Sequence, residues 1–186
     1  MTELPINRIK ITRVWAMPNK WTFQIKPIRR LLNRYVGNGE GWIDPFAGKH
    51  SPAELTNDLN PAMPTKYHLD AIEFLKQTNG RYVGGLFDPP YSLRQIVECY
   101  QGFGMTVDKQ FATTKFYTIA KDLLSEKIIP GGLVISCGWN SIGMGKKRGF
   151  EIIEILLVCH GRSHNDTIVT VEKKKLPIKK PLEAWS

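Results

Sequence analysis

Residues 82–92 constrain this chain more than any other stretch. Tyr82, Val83, Leu86 and Phe87 form a short apolar run that ends on Asp88, and Pro89 and Pro90 follow at once. Val, Tyr and Phe favour a strand, and a proline has no N–H to give to a sheet ladder, so the strand stops at Asp88. Each proline also holds the residue before it extended. Asp88 and Pro89 therefore aim their polar groups past the carboxyl end of the strand, where ligands bind in an open α/β sheet. The Asp88 carboxylate and the Pro89 carbonyl are two fixed acceptors, and an exocyclic amino group has two N–H donors. Accepting both pulls the nitrogen lone pair out of conjugation and makes it a nucleophile. Tyr91 adds a flat face on which a base can stack. The competing reading is a plain strand-ending Asp-Pro turn.

The same grammar occurs twice upstream. Gly41–Gly48 reads as an apolar strand, an acid (Asp44) and a small-residue turn. Glu54–Pro61 reads as a second short strand ending on Asp58. Two acids at successive strand ends suit a nucleoside, one taking ribose hydroxyls and the other orienting a charged amino-acid part; each could also be a helix N-cap. Tyr67–Leu69 reads as a strand stub, and Asp70 as the cap of a helix through Ile72, Leu75 and Lys76, free also to accept from an adenine amino group.

Elsewhere, Arg8–Val14 alternates as an edge strand. Pro27 suits the first turn of a helix carrying Ile28, Leu31, Leu32 and Tyr35 and closed by Gly37. Trp21 and Phe23 before it suit a pocket wall or the core equally. Leu93–Tyr100 and Phe116–Ile129 read as helices, the second stopped by Pro130-Gly131-Gly132. Leu133–Cys137 is a buried strand, and Phe150–Cys159 pairs with Thr167–Val171 as a final hairpin. Strands that alternate with helices predict a mostly parallel seven-stranded sheet with helices on both faces and one antiparallel edge strand. The domain is expected over 1–172, with 173–186 a basic tail.

At 186 residues, with 42% hydrophobic and 23% charged side chains, the chain fits one globular domain. It has no apolar run long enough for a membrane span and no signal-peptide block. Its 26 Lys+Arg against 17 Asp+Glu give +9, which favours a polyanionic partner. Cys99, Cys137 and Cys159 are widely spaced and include no Cys-x-x-Cys pair, so free thiols in a reducing cytoplasm are expected. His160 and His164 are not spaced as metal ligands, and no metal is expected.

Taken in order, these motifs resemble the S-adenosylmethionine-dependent adenine-N6 DNA methyltransferases, above all their small phage and prophage members. The resemblance spans about residues 15–172 and implies a Rossmann-like methyltransferase domain. It implies Asp88, Pro89, Pro90 and Tyr91 as the catalytic tetrapeptide. It implies cofactor contacts at Trp21, Thr22, Phe23, Asp44, Pro45, Phe46, Ala47, Asp58, Leu59, Asp70 and Ala71, with Asp88 beside the methyl group. Two departures stand out. Gly48 is followed by Lys49-His50-Ser51 where the family has a second glycine. The long target-recognition domain is also missing, since only residues 92–115 separate the tetrapeptide from the helix at Phe116. Recognition would then fall to that segment, to other loops, or to a second subunit or copy.

The expected partner is duplex DNA, with RNA less favoured. The candidate nucleic-acid contacts are Tyr91, Ser92, Arg94, Trp139, Asn140, Lys146, Lys147, Arg148, Arg162 and His164. Rival readings are the same chemistry on RNA adenine, guanine N2 or cytosine N4, and a non-catalytic nucleic-acid-binding subunit.

Overall fold

A computed structural model describes residues 8–104, 115–161 and 164–177. Expectations for Arg162, for 105–114 and for the tail from 178 lie outside the described residues. Seven strands form one sheet: β1 Lys10–Trp15, β2 Trp42–Asp44, β3 Leu55–Thr56, β4 Tyr82–Phe87, β5 Ile128–Gly138, β6 Phe150–Cys159 and β7 Thr167–Lys174. Their order is β1-β6-β7-β5-β4-β2-β3. Every pairing is parallel except the two made by β7. The described helices are α1 Lys26–Tyr35, α2 Ala71–Gln77, α3 Leu93–Gly102 and α4 Phe116–Lys127. None is long and apolar enough to cross a membrane.

Neighbouring strand residues face opposite ways, so each strand feeds two cores. On one face Ile28, Leu31 and Leu32 of α1 pack with Phe23, Leu86, Ile135, Leu156 and Val158. On the other, Ile72, Phe74, Ile96, Phe116 and Leu124 of α2, α3 and α4 cover Ile43, Phe87, Val134 and Phe150. Gly84 is required by this packing, because a Cβ there would lie 2.5 Å from the Trp42 indole of the neighbouring strand.

Three sequence expectations are corrected. The antiparallel strand is internal: β7 lies between β5 and β6 and buries Val169, Thr170, Val171 and Glu172. It also runs on to Lys174, two residues past the expected domain boundary. Pro130-Gly131-Gly132 does not separate helix from strand, because α4 ends at Lys127 and β5 absorbs all three. The register jumps from Tyr82↔Ile128 to Gly84↔Leu133, so the proline, which has no N–H for a ladder, sits in a bulge. The Tyr67 stub survives as a single bridge to Asn57.

Candidate active site

The carboxyl ends of β2, β3 and β4, the segment before α1 and the flank of α3 enclose a cavity of about 680 Å³. That is within the range of small-molecule sites. Asp88, Pro89, Pro90 and Tyr91 line it directly after β4. The Tyr91 hydroxyl donates to Asp88 Oδ1 at 2.5 Å, and Thr22 Oγ1 stands 3.4 Å from the same hydroxyl. Burial pushes the Asp88 carboxyl up to about 6, against the hydrogen bonds from Tyr91 and Thr22. At neutral pH it is mainly a charged acceptor. Burial and then the Asp88 charge push the Tyr91 phenol far up, so it remains a donor.

Local bonds fix this corner. Gln95 Oε1 accepts the Tyr91 N–H at 2.7 Å, Ser92 caps α3 by accepting the Gln95 N–H at 3.3 Å, and Tyr117 donates to the Pro90 carbonyl at 2.5 Å. Among the described residues nothing donates to the Pro89 carbonyl. The Trp139 ring meets Tyr91 edge-on, with centroids 5.7 Å apart.

Two strands over, past the end of β3, Asp58 Oδ2 accepts the Gly48 N–H at 2.9 Å and Oδ1 the Asn60 N–H at 2.8 Å. Gly48 has φ +55°, a left-handed conformation that glycine adopts without cost. Buried Asn57 holds the acid in place: its amide donates to the Pro45 and Leu69 carbonyls, and its Oδ1 accepts the Leu69 N–H. Asp58 and Leu59 both line the cavity.

No protein-family model and no curated protein sequence matches the chain. Solved structures do. The Escherichia coli protein yhhF, named as a methyltransferase, aligns with TM-score 0.55 at 10% identity, over 87% of this chain and 91% of that one. The Burkholderia thailandensis 1,6-didemethyltoxoflavin-N1-methyltransferase, solved with its toxoflavin ligand and S-adenosylhomocysteine, aligns at 0.54 and 12% identity, over 81% and 78%. TrmN from Thermus thermophilus aligns at 0.53 and 15% identity, over 81% of this chain and 49% of its own. The fold is that of the methyltransferases.

On this methyltransferase fold Thr22, Pro45, Phe46, Asp58, Leu59, Ala71, Asp88, Pro89, Pro90, Tyr91, Trp139 and His164 line the cavity. Phe23 and Ala47 do not, because both are buried in the core. Trp21 does not line the cavity and packs on the Gly48–His50 loop, with its ring 5.7 Å from His50 and 3.4 Å from a Cβ placed on Gly48. Asp44 is fully buried, accepting from the Phe46 N–H at 2.9 Å and from Ser51 Oγ at 2.6 Å. Burial lifts its carboxyl to about 7 against those two bonds, with Asp88 and Asp58 adding to the rise. Asp70 caps α2 through Oδ1 and accepts the Tyr100 hydroxyl at Oδ2, so both oxygens already have partners within the protein, and Asp70 does not line the cavity.

Among the candidate nucleic-acid contacts, Ser92 is a helix cap and Arg94 pairs with Glu98 at 2.6 Å. Asn140 Oδ1 accepts the Ile142 N–H. Arg148 is tied to Asp122 at 2.6 Å and to the Met144 and Thr118 carbonyls, which makes it a loop anchor. Lys146 and Lys147 are exposed. The sequence missed Gln95, Cys99, Tyr100, Phe116 and His160 as cavity residues. The i, i+4, i+5 spacing of Gln95, Cys99 and Tyr100 on a helix beside the tetrapeptide was the available signal. His160 donates Nδ1–H to the Ala16 carbonyl at 2.8 Å and receives the Thr167 hydroxyl at Nε2.

Proposed function

We propose that the chain transfers the methyl group of S-adenosylmethionine to an exocyclic amino group of a nucleobase, with adenine N6 in DNA as the acceptor. The observation that carries this reading is the pairing of a charged Asp88 with a Pro89 carbonyl that no described residue claims, both at a cavity wall beside Tyr91. The cavity's residues fit the donor. Phe46, Leu59, Ala71, Tyr100 and Phe116 give an apolar end for a flat ring, with Phe46 and Phe116 6.1 Å apart by centroid. Asp58 offers its remaining lone pairs to a ribose diol. Asp44, Asp58 and Asp88 together make the strand ends negative, which favours a cation.

Bound there, S-adenosylmethionine supplies an electrophilic methyl carbon on a sulfonium sulfur. The protein's part is to bind, orient and exclude water. Asp88 and the Pro89 carbonyl accept hydrogen bonds from the two amino N–H groups, Asp88 passes to solvent the one proton that nitrogen sheds as its new N–C bond forms, and Tyr91 and Trp139 present faces to the acceptor ring. In the described state the Tyr91 hydroxyl occupies the donor position on Asp88, so it stands where an amino N–H would sit. The acceptor displaces it, and the freed ring becomes the platform. Holding both reactants in near-attack geometry accounts for much of the acceleration.

The test is labelled methyl transfer to duplex DNA, single-stranded DNA and RNA, with nucleoside analysis of the product. N6-methyladenine from DNA is expected. N4-methylcytosine, or a methylated base from RNA alone, would replace the acceptor. No labelled base from any of the three would end the reading.

A further inference from the structure

A second cavity, about 220 Å³, lies across the Pro89–Tyr91 segment from the first. Pro89, Tyr91 and Trp139 face both cavities, whereas Asp88 faces only the large one. The small cavity is roofed by the turn after β5 and floored by Phe87 and by Tyr117 and Lys121 of α4. Two of its polar groups are unlike ordinary wall atoms. Lys121 is half-buried and forms no salt bridge among the described residues. Its ammonium donates once, to the Gly143 carbonyl at 2.6 Å, and sits 5.5 Å from the centre of the Phe87 ring. An ammonium has three donors, so this leaves two to spend. Ser136 Oγ is buried with no hydrogen-bond partner among the described residues. A buried hydroxyl without a partner is costly and marks a group waiting for one.

We infer that this cavity is the acceptor subsite, taking a single planar amino-substituted heteroaromatic ring whose edge is read by Lys121 and Ser136. Its volume suits one nucleobase and is below that of a drug-sized ligand site. The shared wall at Pro89 and Tyr91 lets the amino group of a ring seated there reach the acceptors at the end of β4. Lys121 gives a charged hydrogen bond to an unprotonated ring nitrogen or carbonyl oxygen flanking the amino carbon, and Ser136 gives or takes a second. An ammonium has no acceptor, so Lys121 selects rings that present a lone pair at that edge. Burial and the nearby Arg148 guanidinium lower the Lys121 ammonium, with Glu172 opposing. This fits a group that gains a partner on ligand binding. The assignment rests on the proposed function for its chemistry but not for its binding test.

The experiment uses the full chain saturated with S-adenosylhomocysteine. Adenosine, 1-deazaadenosine and 7-deazaadenosine are titrated into the wild type, Lys121→Met and Ser136→Ala, followed by nuclear magnetic resonance shifts. A lost charge-assisted bond predicts roughly tenfold to hundredfold weaker adenosine binding in Lys121→Met. In the wild type 1-deazaadenosine, which lacks the ring nitrogen flanking the amino carbon, should weaken by a similar factor while 7-deazaadenosine binds as adenosine does, and in Lys121→Met that discrimination should vanish. Ser136→Ala should weaken adenosine several-fold. Cofactor affinity and melting temperature should stay at wild-type values in both variants, which separates edge reading from damaged folding. Equal binding of all three nucleosides by the wild type and Lys121→Met, or no binding to the wild type at all, overturns the subsite. Discrimination without any methyl transfer to nucleic acid leaves the subsite standing and removes the proposed function instead.

Discussion

Asp44 and Glu154 are both buried carboxylates on the same sheet, and the protein treats them in opposite ways. Glu154, on β6, accepts from Arg34 Nη2 and the Tyr35 hydroxyl at 2.7 Å each and pairs with Lys10 at 3.3 Å. Burial would raise it, but those donors win and its carboxyl sits below the usual range. At the other end of the sheet Asp44 and Asp88 are served only by backbone N–H groups and hydroxyls, and both are raised. Among the described residues no lysine or arginine bridges Asp44, Asp58 or Asp88. The difference teaches where the fold keeps unspent charge. The β1–β6–α1 seam is complete in itself, whereas the ends of β2, β3 and β4 are left short of a cation, which is what the proposed sulfonium donor would supply.

The comparison can be broken most sharply at Asp88. Asp88→Ala should cut methyl transfer by at least about a hundredfold to a thousandfold, with cofactor affinity within a few-fold by calorimetry and no loss of melting temperature. In the wild type, transfer should fall as pH drops through about 6, where the raised carboxyl takes up its proton. Retained turnover in Asp88→Ala would place the chemistry elsewhere.

Glu154→Ala should do the reverse. Its partners are half-exposed, so a loss of about 1–2 kcal/mol is expected rather than the full value of a buried pair. That is a drop of roughly 3–8 °C in melting temperature, with activity per folded molecule unchanged. Because the folded carboxyl is lowered, its contribution is present above the unfolded value and is lost as pH falls through the folded one. The gap between variant and wild type should therefore close in acid. A gap that widens in acid would contradict the assigned sign.

Asp44→Asn tests the opposite sign. A carboxyl raised to about 7 binds more protons folded than unfolded between roughly pH 4 and 7, so it destabilises progressively across that window. The variant should match the wild type near pH 4 and exceed it by up to about 4 kcal/mol at pH 8 in chemical denaturation. The smallest effect is expected at the loop cations. Lys146→Ala should change stability by under about 0.5 kcal/mol and lower the salt slope of DNA binding by about 1. Arg148→Ala should instead loosen the loop that Asp122 and the Thr118 and Met144 carbonyls hold.

Local signals in the chain reached far into this fold. Asp70 caps its helix as read, Phe150–Cys159 is a strand over that same span, and the tetrapeptide stands after β4 at the cavity wall. The signals failed where the deciding atom came from far along the chain. Tyr100 claims an Asp70 oxygen from thirty residues away, and Arg148 is claimed by Asp122 on α4. Neither side chain looks engaged in a linear reading, because a hydrogen-bonding partner leaves no trace in local periodicity.

By itself, then, the sequence determined the strand ends, the helix starts and the kind of atoms presented past β4, because prolines without N–H groups, side-chain caps and residue alternation act within a few positions. Only the tertiary structure decided which acids face the cavity, where β7 inserts, and that Lys121 and Ser136 share a second pocket. Those outcomes depend on burial and on partners brought together by the sheet, and both are properties of the packed chain rather than of any segment.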